Sequence, residues 1–264
     1  MTEASQAEMH HLRLTVHHHV GWLEFNRPPV NAFHQQMVQE VVDALHEFEA
    51  NRSVRVIVFA SALERYFSAG AELRTFVGIG KAGMATWCNL VHQIVYAMRT
   101  SRKPILAAIH GVAVGGGLEM TLHSDVRFAA QDAQLGQPEV NLNFIPPVGA
   151  TQALARVLGR TRALKYLYDG ALLSAEAAFT LGLVDELTPP NALRETVQRY
   201  AEPLCEKPPE ALAGIRHAVT YGGGLSFSEG LSVERNLAIE LAGTENFEEG
   251  VRAFLEKRKP QWRR

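Results

Sequence analysis

Cysteine is scarce in this chain, which has only Cys88 and Cys205 among its 264 residues. Two cysteines so far apart do not make the disulfide framework of a small secreted domain, and no Cys/His spacing matches a zinc site. The tract His17-His18-His19 separates two runs that resemble the strands of a hairpin, so the sequence favours a solvated turn there over a metal site. We therefore expect no metal ion and a reducing compartment, the cytoplasm.

Long apolar runs and an excess of one charge are also lacking. No run approaches the ~20 residues that a transmembrane helix needs, and Met1 to Glu8 lacks the basic and apolar regions of a signal peptide. The 26 basic residues nearly balance the 28 acidic ones, which leaves a net charge of −2. We expect no nucleic acid and no membrane as a partner, because such a balance gives neither of them an overall attraction.

Apolar residues are abundant, at 47% of the chain, which is enough for a substantial core. Short β-branched runs alternate with helical periodicity up to about residue 190, and this alternation predicts an α/β layered core with largely parallel strands. From about Asn191 onward strand patterns vanish. The main helices are predicted at 35–48, 82–98, 151–168, 193–205, 210–221, 227–241 and 247–257.

The stretch from His110 to Glu139 carries the clearest signal for chemistry. A run of three glycines at 115–117 leaves backbone amides accessible at the start of a predicted helix, where an anion or a developing oxyanion is favoured. Glu119 lies just inside that helix between apolar neighbours, where a carboxylate is costly. Taken alone, Glu119 would more often be a helix-start carboxylate and Glu139 a surface charge after a proline turn. Backbone donors beside two carboxylates nevertheless suggest chemistry on a carbonyl compound.

Five strings, in this order, resemble the sequence elements of the crotonase superfamily, the enoyl-CoA hydratase and isomerase fold. They are Arg27-Pro28 with Asn31-Ala32, the turn Phe67 to Glu72, the turn Gly111 to Glu119, Gly136 to Glu139, and Phe254 to Pro260. Glu72 stands where the family usually has Asp. The resemblance implies an α/β fold with a crotonase-like spiral of ββα repeats in residues 1–195, which holds the thioester site. It also implies a C-terminal helical trimerisation region in residues 196–264 and a homo-oligomer, a trimer or a dimer of trimers.

The resemblance also implies roles for individual residues. The backbone amides of Ala71 and Gly116 would form an oxyanion hole for the oxygen of an acyl-CoA thioester. Glu119 and Glu139 would share one water, with Glu119 activating it and Glu139 protonating the α-carbon. No cofactor is implied, because coenzyme A is part of the substrate.

Contacts to the substrate and its CoA are implied for Arg27, Ala69, Phe254 and Lys257, with Phe254 and Lys257 reaching the CoA of a neighbouring subunit. On sequence grounds alone, Lys257 is equally a solvated residue on the basic edge of an amphipathic last helix. His110 and His123 are assigned to packing or to hydrogen bonding at a strand end and a helix face.

One departure from the family pattern is Pro147, which stands where an Ile-Pro-Gly stretch usually has glycine. Proline has no amide hydrogen. If the amide of that glycine holds the catalytic water in the family, this chain lacks that donor. The two glutamates favour an enoyl-CoA hydratase. Pro147 keeps open an enoyl-CoA isomerase or another thioester-enolate enzyme, and a non-catalytic acyl-CoA-binding subunit is the third hypothesis.

Overall fold

Two β-sheets form the framework of the chain, whose computed structural model describes residues 7–263. The strands are β1 (Ala7–Glu8), β2 (Leu12–His17), β3 (Val20–Phe25), β4 (Val56–Ser61), β5 (Tyr66–Ser68), β6 (Ile105–Ile109), β7 (Val112–Val114), β8 (Val126–Ala130), β9 (Gln134–Gly136), β10 (Leu172–Ser174) and β11 (Glu186–Thr188). The larger sheet has the order β1-β2-β3-β4-β6-β8-β11, and the smaller sheet has the order β10-β9-β7-β5.

A repeat of two strands and a helical segment builds both sheets. The strands β4, β6 and β8 lie parallel and adjacent in the larger sheet. The strand after each of them crosses to the smaller sheet, where β5, β7 and β9 are again parallel. The α/β fold with a spiral of ββα repeats, which the resemblance implied, is confirmed. Sequence periodicity misses the smaller sheet, because strands of three residues are too short to show an alternating pattern.

Ten helices lie within residues 7–263. They are α1 (Gln35–Ala50), α2 (Gly80–Thr100), α3 (Gly116–Thr121), α4 (Ala150–Leu158), α5 (Arg160–Asp169), α6 (Ala175–Leu181), α7 (Leu193–Cys205), α8 (Pro209–Gly222), α9 (Phe227–Ala242) and α10 (Glu245–Leu255). The prediction of one helix at 151–168 is wrong: the chain forms α4 and α5, which are separated at Gly159. The φ of 77° at Gly159 interrupts the helix.

The larger sheet is buried on both faces, so its central strands are continuous apolar runs. Helices α1 and α2 pack on one face. Helix α7 covers the other face, where Val197 and Ala201 join the apolar cluster around Trp22 and Phe128. The predicted division between residues 1–195 and 196–264 falls within α7, and it stays a prediction.

The last three helices carry an exposed apolar surface. None of the side chains of α9 is buried in the single chain. Large apolar side chains are solvent-exposed along α8, α9 and α10, among them Ile215, Val219, Phe227, Ile239 and Phe254. No helix within residues 7–263 has the length and apolarity that crossing a bilayer requires.

Candidate active site

A cavity of about 950 Å³ opens beside the ends of β5 and β7. Its wall includes both small-residue turns, both predicted catalytic glutamates and the loop that contains Pro147. The remaining lining is mainly apolar, with Phe76, Met84, Trp87, Val91, Ile94 and Phe144 among its side chains. The rings of Phe76 and Trp87 meet edge to face, with centroids 5.2 Å apart. The cavity can therefore take a largely apolar group beside a few polar atoms.

The two small-residue turns are in contact because they follow the paired strands β5 and β7. A Cβ placed on Gly70 would lie 3.3 Å from the amide nitrogen of Gly116. The amides of Ala71 and Gly116 donate to no backbone or side-chain acceptor within the described residues. Gly116 is the first residue of α3, so its amide also lacks an acceptor within the helix. Two unpaired N–H donors thus belong to adjacent turns that line the cavity.

Glu119 is fully buried. Its Oε1 accepts hydrogen bonds from the amides of Val148, at 2.7 Å, and Ala150, at 3.2 Å, while its Oε2 has no partner within the described residues. Burial, and secondarily the charge of Glu139, raises the pKa of Glu119 to about 8, although the two amide donors act in the opposite direction. Such a carboxyl group can carry or release a proton near neutral pH.

Glu139 lies in the 3₁₀ turn Pro138–Leu142, beside the glycine turn. It is buried, and its Oε2 also lacks a partner within the described residues. Burial raises the pKa of this carboxyl group. A Cβ on Gly115 would come within 2.8 Å of Glu139 Oε1, and Gly115 has a φ of 53°, so glycine is required at this position. The turn and the two glutamates consequently form one site.

The raised pKa of Glu119 predicts a specific pH dependence of stability. A carboxyl group with a pKa of 4.5 when unfolded and about 8 when folded binds more protons in the folded state. Its contribution is therefore fully present below pH 4.5 and is lost as the pH rises toward 8. We expect the free energy of unfolding of Glu119→Gln to lack this decline. Urea unfolding of both proteins at a series of pH values tests this, and parallel pH profiles would contradict it.

Two histidines hold the loop that donates to Glu119. His92 Nε2 donates to the carbonyl of Pro147 at 2.9 Å, and His123 Nε2 donates to the carbonyl of Val148 at 2.7 Å. The peptide between Pro147 and Val148 thus receives a hydrogen bond from His92 and gives one to Glu119. His123 is buried and its pKa is lowered to about 4, chiefly by burial, so the ring is neutral at pH 7.

Removal of the His123 ring should destabilise the protein more than removal of the His92 ring. The variant His123→Leu leaves a buried Val148 carbonyl without its donor, which typically costs about 1–3 kcal/mol. His92 is exposed, so water can replace its hydrogen bond in His92→Leu, and we expect a change within about 0.5 kcal/mol. Denaturant unfolding measures both values. Equal losses in the two variants would show that burial of the carbonyl does not govern the cost.

The residues implied to contact substrate and CoA lie in two separate places. Arg27 and Ala69 line the cavity, and Arg27 forms an ion pair with Glu72, with 2.7 Å between Nη2 and Oε2. Phe254 and Lys257 are exposed at the C-terminal end of α10 and line neither described cavity. In the single chain they are therefore not brought to the site. The prediction that they reach a neighbouring subunit stays a prediction.

Sequence reasoning did not find the donors to Glu119 or the ion pair of Arg27. Val148 and Ala150 are apolar residues that act through their backbone, and they follow Glu119 by 29 and 31 positions. Arg27 and Glu72 are 45 positions apart. No local pattern signals such contacts. His123, by contrast, is hydrogen-bonded, as the sequence analysis expected.

Comparison with known proteins defines the class to which this fold and site belong. The family model described as enoyl-CoA hydratase/isomerase matches residues 15–264. The chain belongs to this family, within the crotonase superfamily.

Individual relatives are similar over nearly the whole chain. A probable enoyl-CoA hydratase of Bacillus subtilis (strain 168) is 35% identical over 257 residues, which cover 97% of this chain and 99% of that protein. The (E)-benzylidenesuccinyl-CoA hydratase of Thauera aromatica is 32% identical over 251 residues, covering 95% and 98%. The crystal structure of an enoyl-CoA hydratase from Geobacillus kaustophilus HTA426 superimposes with a TM-score of 0.95 at 27% identity, covering 99% of each chain.

Proposed function

We propose that the protein is an enoyl-CoA hydratase, which adds water reversibly across the double bond of a 2-enoyl-CoA thioester. The observation that carries the proposal is the pair of buried glutamates in one cavity wall, each with an unpartnered Oε2, beside two unpaired amides. Hydration requires this set of groups: donors for the thioester oxygen, a base for water and an acid for the α-carbon. The relatives named as hydratases support the same reaction.

In the proposed reaction the thioester oxygen accepts hydrogen bonds from the amides of Ala71 and Gly116. The water oxygen forms a bond to the β-carbon as its proton passes to one carboxylate, and the other carboxyl group gives its proton to the α-carbon. The electron pair of the double bond moves toward the thioester oxygen during addition, and the two amides stabilise that charge. The reaction is redox-neutral and consumes no co-reactant besides water.

Burial, and secondarily the charge of Glu139, raises the pKa of Glu119, so we treat the two carboxyl groups as a pair that shares its protons. A pair of this kind readily holds one proton between its members, which supplies the acid and the base together. Assignment of water activation to Glu119 and protonation to Glu139 remains a proposal. The amides of Val148 and Ala150 favour the charged form of Glu119, whereas burial and Glu139 favour the neutral form.

A second candidate is an enoyl-CoA isomerase or another enzyme that forms a thioester enolate. The observation that favours it is the loop: the amides of Val148 and Ala150 already donate to Glu119, and Pro147 has no amide hydrogen. No donor at these three positions is therefore free to hold a water. An enolate that is protonated at another carbon needs no bound water.

Assays of the purified protein separate the two candidates. Hydration removes the conjugated double bond, so the absorbance of a 2-enoyl-CoA such as crotonyl-CoA should fall until equilibrium is reached. An isomerase would leave that substrate unchanged and would convert a β,γ-unsaturated thioester to the conjugated isomer. A panel of straight-chain, branched and aromatic 2-enoyl-CoA substrates should be used. If the protein hydrates no member of the panel but still isomerises a β,γ-unsaturated thioester, the leading proposal is rejected.

The partners we propose are an acyl-CoA substrate and further copies of this chain. The exposed apolar surface of α8, α9 and α10 supports self-association. In a trimer or a dimer of trimers, Phe254 and Lys257 of one subunit would contact the CoA bound by another. No separate cofactor is proposed, because the acyl-CoA brings its own coenzyme.

A further inference from the structure

We propose that His17, His18 and Glu202 form a binding site for one divalent transition-metal ion of the Zn²⁺ class. One ligand atom from each side chain lies within 4.8 Å of the other two, and no other group of three His, Cys, Asp or Glu residues in the described part of the chain does so. None of the three lines the cavity of the candidate active site. The inference is therefore independent of the proposed reaction.

The separations suit a tetrahedral ion. Zinc binds His nitrogen at about 2.0–2.1 Å and carboxylate oxygen at about 2.0–2.2 Å, which places neighbouring ligand atoms about 3.3 Å apart. His18 Nδ1 and Glu202 Oε1 are already 3.0 Å apart. The rings of His17 and His18 lie stacked, with centroids 4.1 Å apart. In the proposed site the exposed imidazoles rotate so that both nitrogens face the ion, which gives a His₂Glu set with one position left for water.

A chain of hydrogen bonds holds the carboxylate in place. The buried Trp22 donates from its Nε1 to Gln198 Oε1 at 2.9 Å. Gln198 Nε2 in turn donates to Glu202 Oε1 at 3.0 Å. Partners of this kind behind a ligand orient it and raise metal affinity. The carboxylate ligand is thus positioned by contacts between the β2–β3 hairpin and α7, whereas both imidazole ligands are exposed.

The hairpin turn determines where the His18 side chain lies. His17 pairs with Val20, so the turn consists of two residues, His18 and His19, with φ of 47° and 67°. A two-residue hairpin turn with positive φ at both positions strongly favours Asn-Gly or a similar pair. Imidazole side chains at both positions impose backbone strain, and strain of this kind is concentrated at functional sites. The strained turn directs His18 toward Glu202, while His19 Nδ1 contacts the carbonyl of Ser53 instead.

The sequence favours a solvated turn because it shows three adjacent histidines and no acidic partner. Only the fold supplies that partner: Glu202 follows His18 by 184 residues and reaches it because α7 packs on the larger sheet. A bound ion would fasten the N-terminal hairpin to α7. Its effect would appear in stability rather than in the chemistry of the cavity.

The test uses the full chain without an affinity tag, after treatment with a chelator and removal of the chelator. Isothermal titration with Zn²⁺ alone should show one saturable equivalent per chain, and Zn²⁺ should raise the Tm. Co²⁺ in its place should give the visible absorption of a tetrahedral nitrogen and oxygen site.

Two neighbouring positions provide matched variants. Asparagine tolerates positive φ, so His18→Asn and His19→Asn make the same change in the same turn. We expect His18→Asn and Glu202→Gln to weaken Zn²⁺ binding by about tenfold or more and to abolish the rise in Tm, whereas His19→Asn leaves both unchanged. Absence of saturable binding by the unmodified protein, or equal binding by His18→Asn, would overturn the proposal.

Discussion

Glu119→Gln and Glu139→Gln should each lower kcat/KM for hydration of a 2-enoyl-CoA by about 10²–10⁴-fold, the usual contribution of a positioned acid or base. Glutamine keeps the shape of the side chain. Its amide oxygen at position 119 can still accept from Val148 and Ala150, so the loop should stay in place. The loss would therefore report proton transfer rather than a collapsed site. Steady-state kinetics with crotonyl-CoA, or with the best member of the substrate panel, measure it.

The double variant provides a sharper form of the same test. If both glutamates act on one water, removal of the second should cost much less than removal of the first, because residues that act as a unit are strongly non-additive. Glu47→Gln, an exposed glutamate on α1, is the control and should keep the activity of the unmodified protein. Full hydratase activity in either single variant, with an unchanged fold by circular dichroism, would remove that glutamate from the proposed mechanism.

Gly116→Pro should lower kcat by about 10²–10³-fold, which corresponds to the ~2.7–4 kcal/mol of one oxyanion-hole donor. Position 116 is the first residue of α3, where proline is well tolerated because the amide has no intrahelical acceptor. The substitution therefore removes the donor with little cost to the helix. Single-turnover kinetics should show the loss in the chemical step, with a smaller change in the Kd for a saturated acyl-CoA.

Gly116→Ala is the matched control for this variant. It retains the amide hydrogen, and its Cβ would meet Val148 Cγ2 at 3.7 Å and Phe33 Cδ2 at 3.8 Å, which are ordinary contacts. Because these contacts require no rearrangement, we expect the kcat of Gly116→Ala to stay within a few-fold of the kcat of the unmodified protein. A large loss in both variants would assign the effect to steric change at the turn, and no loss in Gly116→Pro would remove Gly116 from the proposed oxyanion hole.

Helical periodicity located most of the helices well. Apart from 151–168, each of the main predicted helices agrees with an observed helix to within two residues at either end. The exception depended on Gly159, whose left-handed φ separates α4 from α5; a glycine inside an apolar periodicity does not by itself show whether the helix continues. The smaller sheet could not be predicted for a different reason. Its strands β5, β7, β9 and β10 are each three residues long, which is too short to show an alternating pattern.

The sequence by itself determined the family and the types of group available for catalysis. The two small-residue turns, Glu119, Glu139 and the order of the motifs required no coordinates, because glycine and buried carboxylates are costly unless the backbone or the chemistry needs them. The departure at Pro147 was also visible in the sequence alone.

The tertiary structure decided which atoms meet. It directed the Val148 and Ala150 amides to Glu119, paired Arg27 with Glu72, and brought Glu202 to His18. Each of these contacts joins residues that are 29 to 184 positions apart. Their proximity follows from strand order and helix packing, which place distant segments side by side, and no local pattern of side chains encodes it.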